Sequence, residues 1–205
     1  MQLKSFKDQK QYEKSQLRAN RKKSSRTSVS PLEVRKIVDY LLEQRSNVRG
    51  LCHGVKEGRE LILFEEEFKQ RFANADVVGT DLFEQSNLKV VVHDFHKVRS
   101  KWLGAFDFVY TNAMDHAHDP FECVRVWLDQ LNENGLLFVQ WSFSHIELNR
   151  GDCFGATLYE YICLLNKIGE VIDLLYVGTG TEYRGRKEMK IIIVATKKKK
   201  ESSVG

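Results

Sequence analysis

The sequence predicts an α/β fold, a doubly wound and mostly parallel sheet of seven strands with an antiparallel last strand. Three observations carry that expectation. Short apolar runs alternate with stretches of helical periodicity along most of the chain, the pattern of strands joined by crossover helices. The run 136–141 is apolar at almost every position, as a strand is when helices cover both faces of its sheet. The segment from Gly178 to Gly185, between the last two strand-like runs, is too short for a crossover helix, so those two strands form a hairpin.

The elements follow in order. Ser30, Pro31 and Glu33 make a capping box with proline at the first helical position, and Leu32, Ile37, Tyr40 and Leu41 recur at helical spacing, which predicts an opening helix ending near 45–47. The first strand, 48–52, runs into a turn holding Gly54 and Gly58, and Leu61, Phe64, Phe68 and Phe72 then mark one face of a helix over 59–72. Strands follow at 77–81, 89–93 and 106–110. Asp119 and Pro120 open a helix carrying Phe121, Val124, Trp127, Leu128 and Leu131, which Asn134 and Gly135 close. Beyond the strand at 136–141 come a helix over 154–168 and strands at 171–177 and 190–196. Order is expected to start at residue 30, giving a basic flexible arm (1–29), one domain (30–196) and a basic tail (197–205).

Composition agrees with a single core. The 205 residues are 42% hydrophobic and 29% charged, unlike a disordered chain. No apolar run approaches the roughly 18 residues that cross a bilayer, and the stretch after Met1 is polar and lysine-rich, unlike a signal segment. Cys52, Cys123, Cys153 and Cys163 form no C-x-x-C pair, so neither a zinc knuckle nor a disulfide framework is indicated, and the expected location is cytoplasmic, with no membrane partner. The formal charge of +4 is unevenly spread, since residues 1–30 hold nine Lys or Arg against two acidic residues and the remainder is net acidic. Residues 1–28 are either a contact for RNA or another anionic partner, or a solvated extension.

In a doubly wound sheet, ligands bind beyond the carboxyl ends of the strands where the strand order reverses. Polar residues mark three such ends: the turn with Gly54 and Gly58, Asp81 after the second strand, and Asp94 after the third. Glycines let a backbone approach a ligand, and an acid some 20 residues beyond such a turn suits ribose hydroxyls. G-x-G-x-x-G is absent, which disfavours a nicotinamide-dependent dehydrogenase.

The glycine turn, Thr80-Asp81, His93-Asp94-Phe95, Phe106-Asp107-Phe108-Val109-Tyr110 with Asn112 and His116 before Asp119-Pro120, and Asn134-Gly135-Leu136, taken in that order, resemble the successive motifs of class I S-adenosylmethionine-dependent methyltransferases. The similarity covers about 48–141, and that family's Rossmann-like sheet also ends in an antiparallel strand. The resemblance implies S-adenosylmethionine as cofactor and methyl transfer to a small-molecule or protein acceptor. Cys52, His53, Gly54 and Val55 would wrap its methionine part, with Lys56 supplying a charge for the carboxylate and Gly58 completing the turn. Asp81, with Leu82 beside it, would hold the ribose, Asp94 and Phe95 would face the adenine, and Asn112 and Ala113 would lie along the sulfonium. The turn departs from the family pattern, because Arg49-Gly50-Leu51-Cys52-His53-Gly54 stands where an acid and three close glycines are usual. That departure supports another reading, a noncatalytic methyltransferase-like domain that docks on RNA or a ribonucleoprotein through its basic arm.

Methyl transfer needs alignment and, where the acceptor carries a proton, a base. His116 and His118, beside Asp115, are the candidates; the alternative is an ordinary polar loop. The loop lacks the Pro-Pro-aromatic sequence of exocyclic-amine methyltransferases, which disfavours adenine or glutamine nitrogen as acceptor. His93, Asp94, His96, Asp115, His116, His118 and Asp119 also offer metal ligands, but without a helical H-x-x-x-H or a cysteine set no metal site is assigned.

Overall fold

The structure is a computed structural model that describes residues 1–22, 29–43, 47–84, 89–148, 151–183 and 186–199. Its elements are β1 (Gln2–Leu3), α1 (Gln9–Lys22), α2 (Pro31–Leu42), β2 (Asn47–His53), α3 (Arg59–Gln70), β3 (Asn74–Asp81), β4 (Val90–Val92), β5 (Phe106–Thr111), α4 (Pro120–Gln130), β6 (Leu131–Ser142), β7 (Phe154–Gly155), α5 (Leu158–Ile168), β8 (Gly169–Tyr183) and β9 (Arg186–Lys197). Seven strands form one sheet in the order β4-β3-β2-β5-β6-β9-β8. The first five of these are parallel to one another, and β9 runs antiparallel to both β6 and β8, as the sequence predicts. The order reverses at β2, which pairs with β3 on one side and β5 on the other.

Successive residues of a strand face opposite sides of the sheet, and that alternation divides the core in two. Leu51, Val109, Leu137, Val139 and Ile193 join Trp127 of α4 and Leu164 of α5 on one side. Cys52, Phe108, Phe138 and Val194 meet Leu41 of α2 and Phe64 of α3 on the other. Full burial of each such side chain contributes roughly 1.5 to 3 kcal/mol, so the continuous apolar runs that flagged the strands are also what secures them. Gly50 lets β2 lie against the Phe108 ring, since a Cβ there would come 2.2 Å from it.

Helix starts follow local chemistry. Ser30 Oγ accepts from Glu33 N and Glu33 Oε2 from Ser30 N, closing the expected capping box. Glu33 is fully buried and its Oε2 also meets Lys190 Nζ at 3.2 Å, which ties α2 to β9. Asp119 caps α4 through Glu122 N, with Pro120 in the first turn.

Two helix boundaries differ from expectation. α4 ends at Gln130, because Leu131 is already extended and pairs with Phe106. Gly135 does not close that helix; it sits in the register shift between the Phe106–Leu131 and Phe108–Leu136 pairs, where a Cβ would lie 2.9 Å from the Phe106 carbonyl oxygen. α5 begins at Leu158 and not at 154, because Thr157 and Glu160 form a second capping box and Phe154–Gly155 is drawn into a separate strand pairing. Among the described residues, no helix is long and apolar enough to cross a membrane.

The larger correction concerns the amino-terminal segment, expected to be a flexible arm. Gln2 and Leu3 pair with Gly155 and Phe154, and α1 lies against the domain with Tyr12 only 3% exposed. A strap over residues 1–22 therefore precedes α2. Its physical basis is a stripe at helical spacing, Tyr12, Gln16 and Ala19, whose members pack on or bond to the domain: Gln16 Nε2 donates to Gly151 O at 3.1 Å, and a Cβ on Gly151 would stand 2.8 Å from Ala19 Cβ. Residues 23–28 of the expected arm lie outside the described residues. So do residues 200–205 of the expected tail, whereas Lys197 belongs to β9 and its Nζ donates to Leu131 O at 2.6 Å.

Candidate active site

At the switch point, β3, β2 and β5 end level: Thr80 is opposite His53, and His53 is opposite Thr111. The turn after β2 is built from backbone bonds to β3, with Gly54 N and Val55 N both donating to Thr80 O. Gly54, Lys56 and Gly58 all adopt positive φ, which costs a non-glycine residue such as Lys56 about 1 kcal/mol or more. Lys56 is fixed there by its own N–H, which donates to Asp81 Oδ2 at 2.9 Å; Asp81 Oδ1 accepts from Phe83 N at 3.1 Å. The acid at the end of β3 and the glycine turn after β2 are thus one unit, with Leu82 half-buried beside them.

Glycine at 54 is required by a close approach. A Cβ there would lie 2.4 Å from Ala113 Cβ, in the loop that leaves β5. Ala113 is held by its N–H to Thr111 Oγ1, and Asn112 beside it is half-buried. The structure therefore brings Gly54, Val55, Lys56, Gly58, Asp81, Asn112 and Ala113 together in the loops at the carboxyl ends of β2, β3 and β5. Cys52 and Val55 point into the core under α2 and α3, so only their backbones face outward.

His53 is not a cofactor contact through its side chain. Its ring is 1% exposed, with Nδ1 2.8 Å from Thr80 Oγ1 and Nε2 2.8 Å from Gln130 Oε1, and it stacks on Trp127 at 5.6 Å. Burial depresses its pKa to about 3 despite the Gln130 hydrogen bond, so the ring is neutral.

Asp94 and Phe95, expected at the adenine, both have partners within the protein. Asp94 Oδ1 accepts from both the backbone N and the Nδ1 of His96, and Oδ2 accepts from Gln9 Nε2 of α1 at 2.8 Å. Burial alone would raise this carboxyl, but the His96 bonds outweigh it and hold the pKa at about 2. His96 Nε2 accepts the His118 N–H at 3.1 Å, which fixes its tautomer. Phe95 packs edge-on to Trp127 and His53, and its carbonyl accepts the Trp127 indole N–H.

The three residues expected to serve catalysis separate into two groups. His118 is clasped between the rings of Tyr12 and His96, with centroids 4.4 and 3.9 Å away, and burial followed by the neighbouring His96 lowers its pKa. Asp115 and His116 stand together on the turn after β5, with His116 Nε2 3.8 Å from Asp115 Oδ2. His116 Nδ1 donates to Gly151 O at 3.2 Å, leaving Nε2 as the acceptor nitrogen of the neutral ring. Asp152 joins this pair, the ligand atoms of all three lying within 4.8 Å of one another. Sequence reasoning missed Asp152, which no motif marks, and Gln9 and Tyr12, whose only signal was the helical stripe in a segment dominated by lysine.

No family model matches the sequence, and no curated protein matches it. Solved structures do. A TehB-like S-adenosylmethionine-dependent methyltransferase from Corynebacterium glutamicum superposes with a TM-score of 0.57 at 15% identity, covering 93% of this chain and 100% of that one. The CurJ carbon methyltransferase gives a TM-score of 0.62 at 12% identity over 89% of this chain. The methyltransferase domain of the citrinin polyketide synthase gives 0.61 at 12% identity over 82% of this chain. This chain spans 57% and 52% of those last two chains, respectively. The chain has the class I methyltransferase fold. The cyclase SpnF superposes equally well, with a TM-score of 0.58 at 13% identity, so the fold by itself leaves the reaction open.

Proposed function

We propose that this protein is an S-adenosylmethionine-dependent methyltransferase acting on a small-molecule or protein acceptor. The observation that carries this reading is the Asp81 carboxylate, 9% exposed and fastened by the backbone N–H groups of Lys56 and Phe83 at the point where the strand order reverses. Each carboxylate oxygen accepts one of these bonds, and a carboxylate is the acceptor that suits the hydroxyls of a ribose. The Gly54 backbone, which no Cβ could share with Ala113, suits the methionine part. When bound, the cofactor supplies an electrophilic methyl group on a sulfonium. The chain's own work is to align the acceptor and to receive its proton, for which His116 is the candidate, its ring oriented by the Gly151 carbonyl with Asp115 beside it.

Calorimetry with S-adenosylhomocysteine tests the reading. The wild type is expected to bind and Asp81→Ala to lose about 1.5 to 3 kcal/mol of affinity, roughly 10- to 150-fold, while its circular dichroism shows the domain still folded. Equal affinity in both proteins removes the ribose assignment.

One observation favours the noncatalytic alternative. Lys10, Lys14 and Arg18 recur every four residues on the exposed face of α1, with Lys7 just before it, while the buried face of the same helix covers Asp94. Such a stripe suits phosphates. Absence of any binding of S-adenosylhomocysteine to the wild type, together with retention on RNA that falls steeply with salt, selects this alternative.

A further inference from the structure

Phe72 does not behave as its spacing implies. It continues the series Leu61, Phe64 and Phe68, whose side chains are buried, but α3 ends at Gln70 and the Phe72 side chain is 100% exposed. The backbone closes α3 with a Schellman motif, in which Ala73 N donates to Phe68 O and Phe72 N to Lys69 O, both at 3.1 Å. Phe72 fills the left-handed position of that motif, with φ 54°, where glycine is the usual residue. A solitary exposed apolar side chain is ordinary, but a bulky one held in the left-handed region is an outlier. Phe72 thus stands against two local preferences at once, and neither core packing nor the turn accounts for its ring. Strain of this kind points to a contact that the residue makes.

Beside the ring lies an open groove of about 520 Å³, of which Phe72 forms one wall. Phe68, Ala73 and Ala75 supply its apolar surface, and Glu65, Lys69 and Lys89 its charge. That volume is ample for a phenyl ring. β3 and β4 begin here, at Asn74 and Val90, so the groove sits at the amino ends of the strands, away from the loops that hold Gly54 and Asp81.

We infer that this face is a self-association surface, on which the Phe72 ring of each of two copies enters the groove of the other. A two-fold axis brings a patch against its own copy, so the patch must hold both halves of every match. This one does. A projecting ring stands beside a recess, and the cations Lys69 and Lys89 stand beside the anion Glu65, which pairs with Lys89 in its own chain. A partner of one charge sign, such as a nucleic acid or an acidic peptide, would meet like charge in the groove as well as unlike. Aromatic side chains are also common anchors of protein interfaces.

Sedimentation velocity of the full chain is the test. The wild type is expected to shift from monomer towards dimer over about 5 to 200 μM, the range of a weak, transient interface. Phe72→Gly, which supplies the residue the motif favours, should weaken association by at least about tenfold. Measured on dilute monomer, its melting temperature should be unchanged or a few degrees higher, because the backbone strain is relieved. A wild type that stays monomeric throughout overturns the proposal and assigns the groove to a different kind of partner. A dimer that Phe72→Gly does not weaken overturns it too, by placing the contact on another face. So does a marked fall in the melting temperature of that variant, which would mean that the ring serves its own chain. No sulfonium compound enters these measurements, so their outcome is separate from that of the methyltransferase reading.

Discussion

Lowering the pH from 7 to 5 is expected to cost this protein about 2 kcal/mol of stability through His53 alone, before most carboxylates titrate. The folded chain holds this imidazole neutral down to about pH 3, against an ordinary value of 6.5. Between those values the unfolded chain binds a proton that the folded chain refuses, so unfolding takes up protons and acid favours it. The contribution is fully present above pH 6.5 and is lost progressively as pH falls towards 3, at up to about 1.4 kcal/mol per unit. Asp94 adds a separate loss only lower, as pH falls from 3.8 towards 2. Urea unfolding at pH 7 and pH 5 measures the effect. His53→Phe keeps the stacking on Trp127, gives up the bonds to Thr80 and Gln130 at about 1 to 3 kcal/mol, and should flatten the pH dependence by about 2 kcal/mol. An unchanged slope in that variant would assign the acid sensitivity elsewhere.

Deleting residues 1–28 is expected to destabilise the domain by about 3 to 5 kcal/mol, the range seen when a buried aromatic side chain is removed, and to lower the melting temperature by roughly 10 °C. Tyr12 is buried against the His118 and His96 rings, Gln9 closes the second oxygen of Asp94, and Lys4 N donates to Cys153 O. Removing the strap uncovers all of these at once. Judged by sequence alone, the same deletion would be silent, because order is expected to begin at Ser30. A truncated protein that melts with the wild type would restore that boundary and make α1 an adornment. Tyr12→Ala, which leaves the lysines in place, should reproduce most of the loss and so separate packing from charge.

What the sequence made legible depended on whether the controlling interaction is local. The strands of the parallel sheet announced themselves through apolar runs such as 136–141, and the helix starts through Ser30 and Asp119, whose caps reach only three residues along the chain. Asp81 was legible for a similar reason, being the acid that ends an apolar strand. His53 was misplaced because its partner Gln130 is 77 residues away, and no local pattern says that an imidazole will be spent inside the sheet. The bond from Gln9 to Asp94 was not legible for the same reason, since the two residues are 85 apart in the chain. Gly135 stood out but in the wrong role, since a glycine after a helix suggests a cap and only the register shift between Phe106 and Phe108 shows what its missing Cβ is for.

The separations across which the strap is fastened also set an order of events. Gln16 reaches Gly151 across 135 residues and Tyr12 reaches His116 across 104, whereas β8 and β9 meet through a short hairpin and β2 and β3 through one crossover. Closing a long loop costs entropy before its contacts repay it, and these partners of α1 lie on loops that exist only once the sheet has assembled. In refolding, the strap is thus the last piece to dock. A nearly native form without the docked strap precedes the finished molecule, and the aromatic surface of Tyr12, His96 and His118 is exposed to solvent, and to any neighbouring chain, for as long as that form survives.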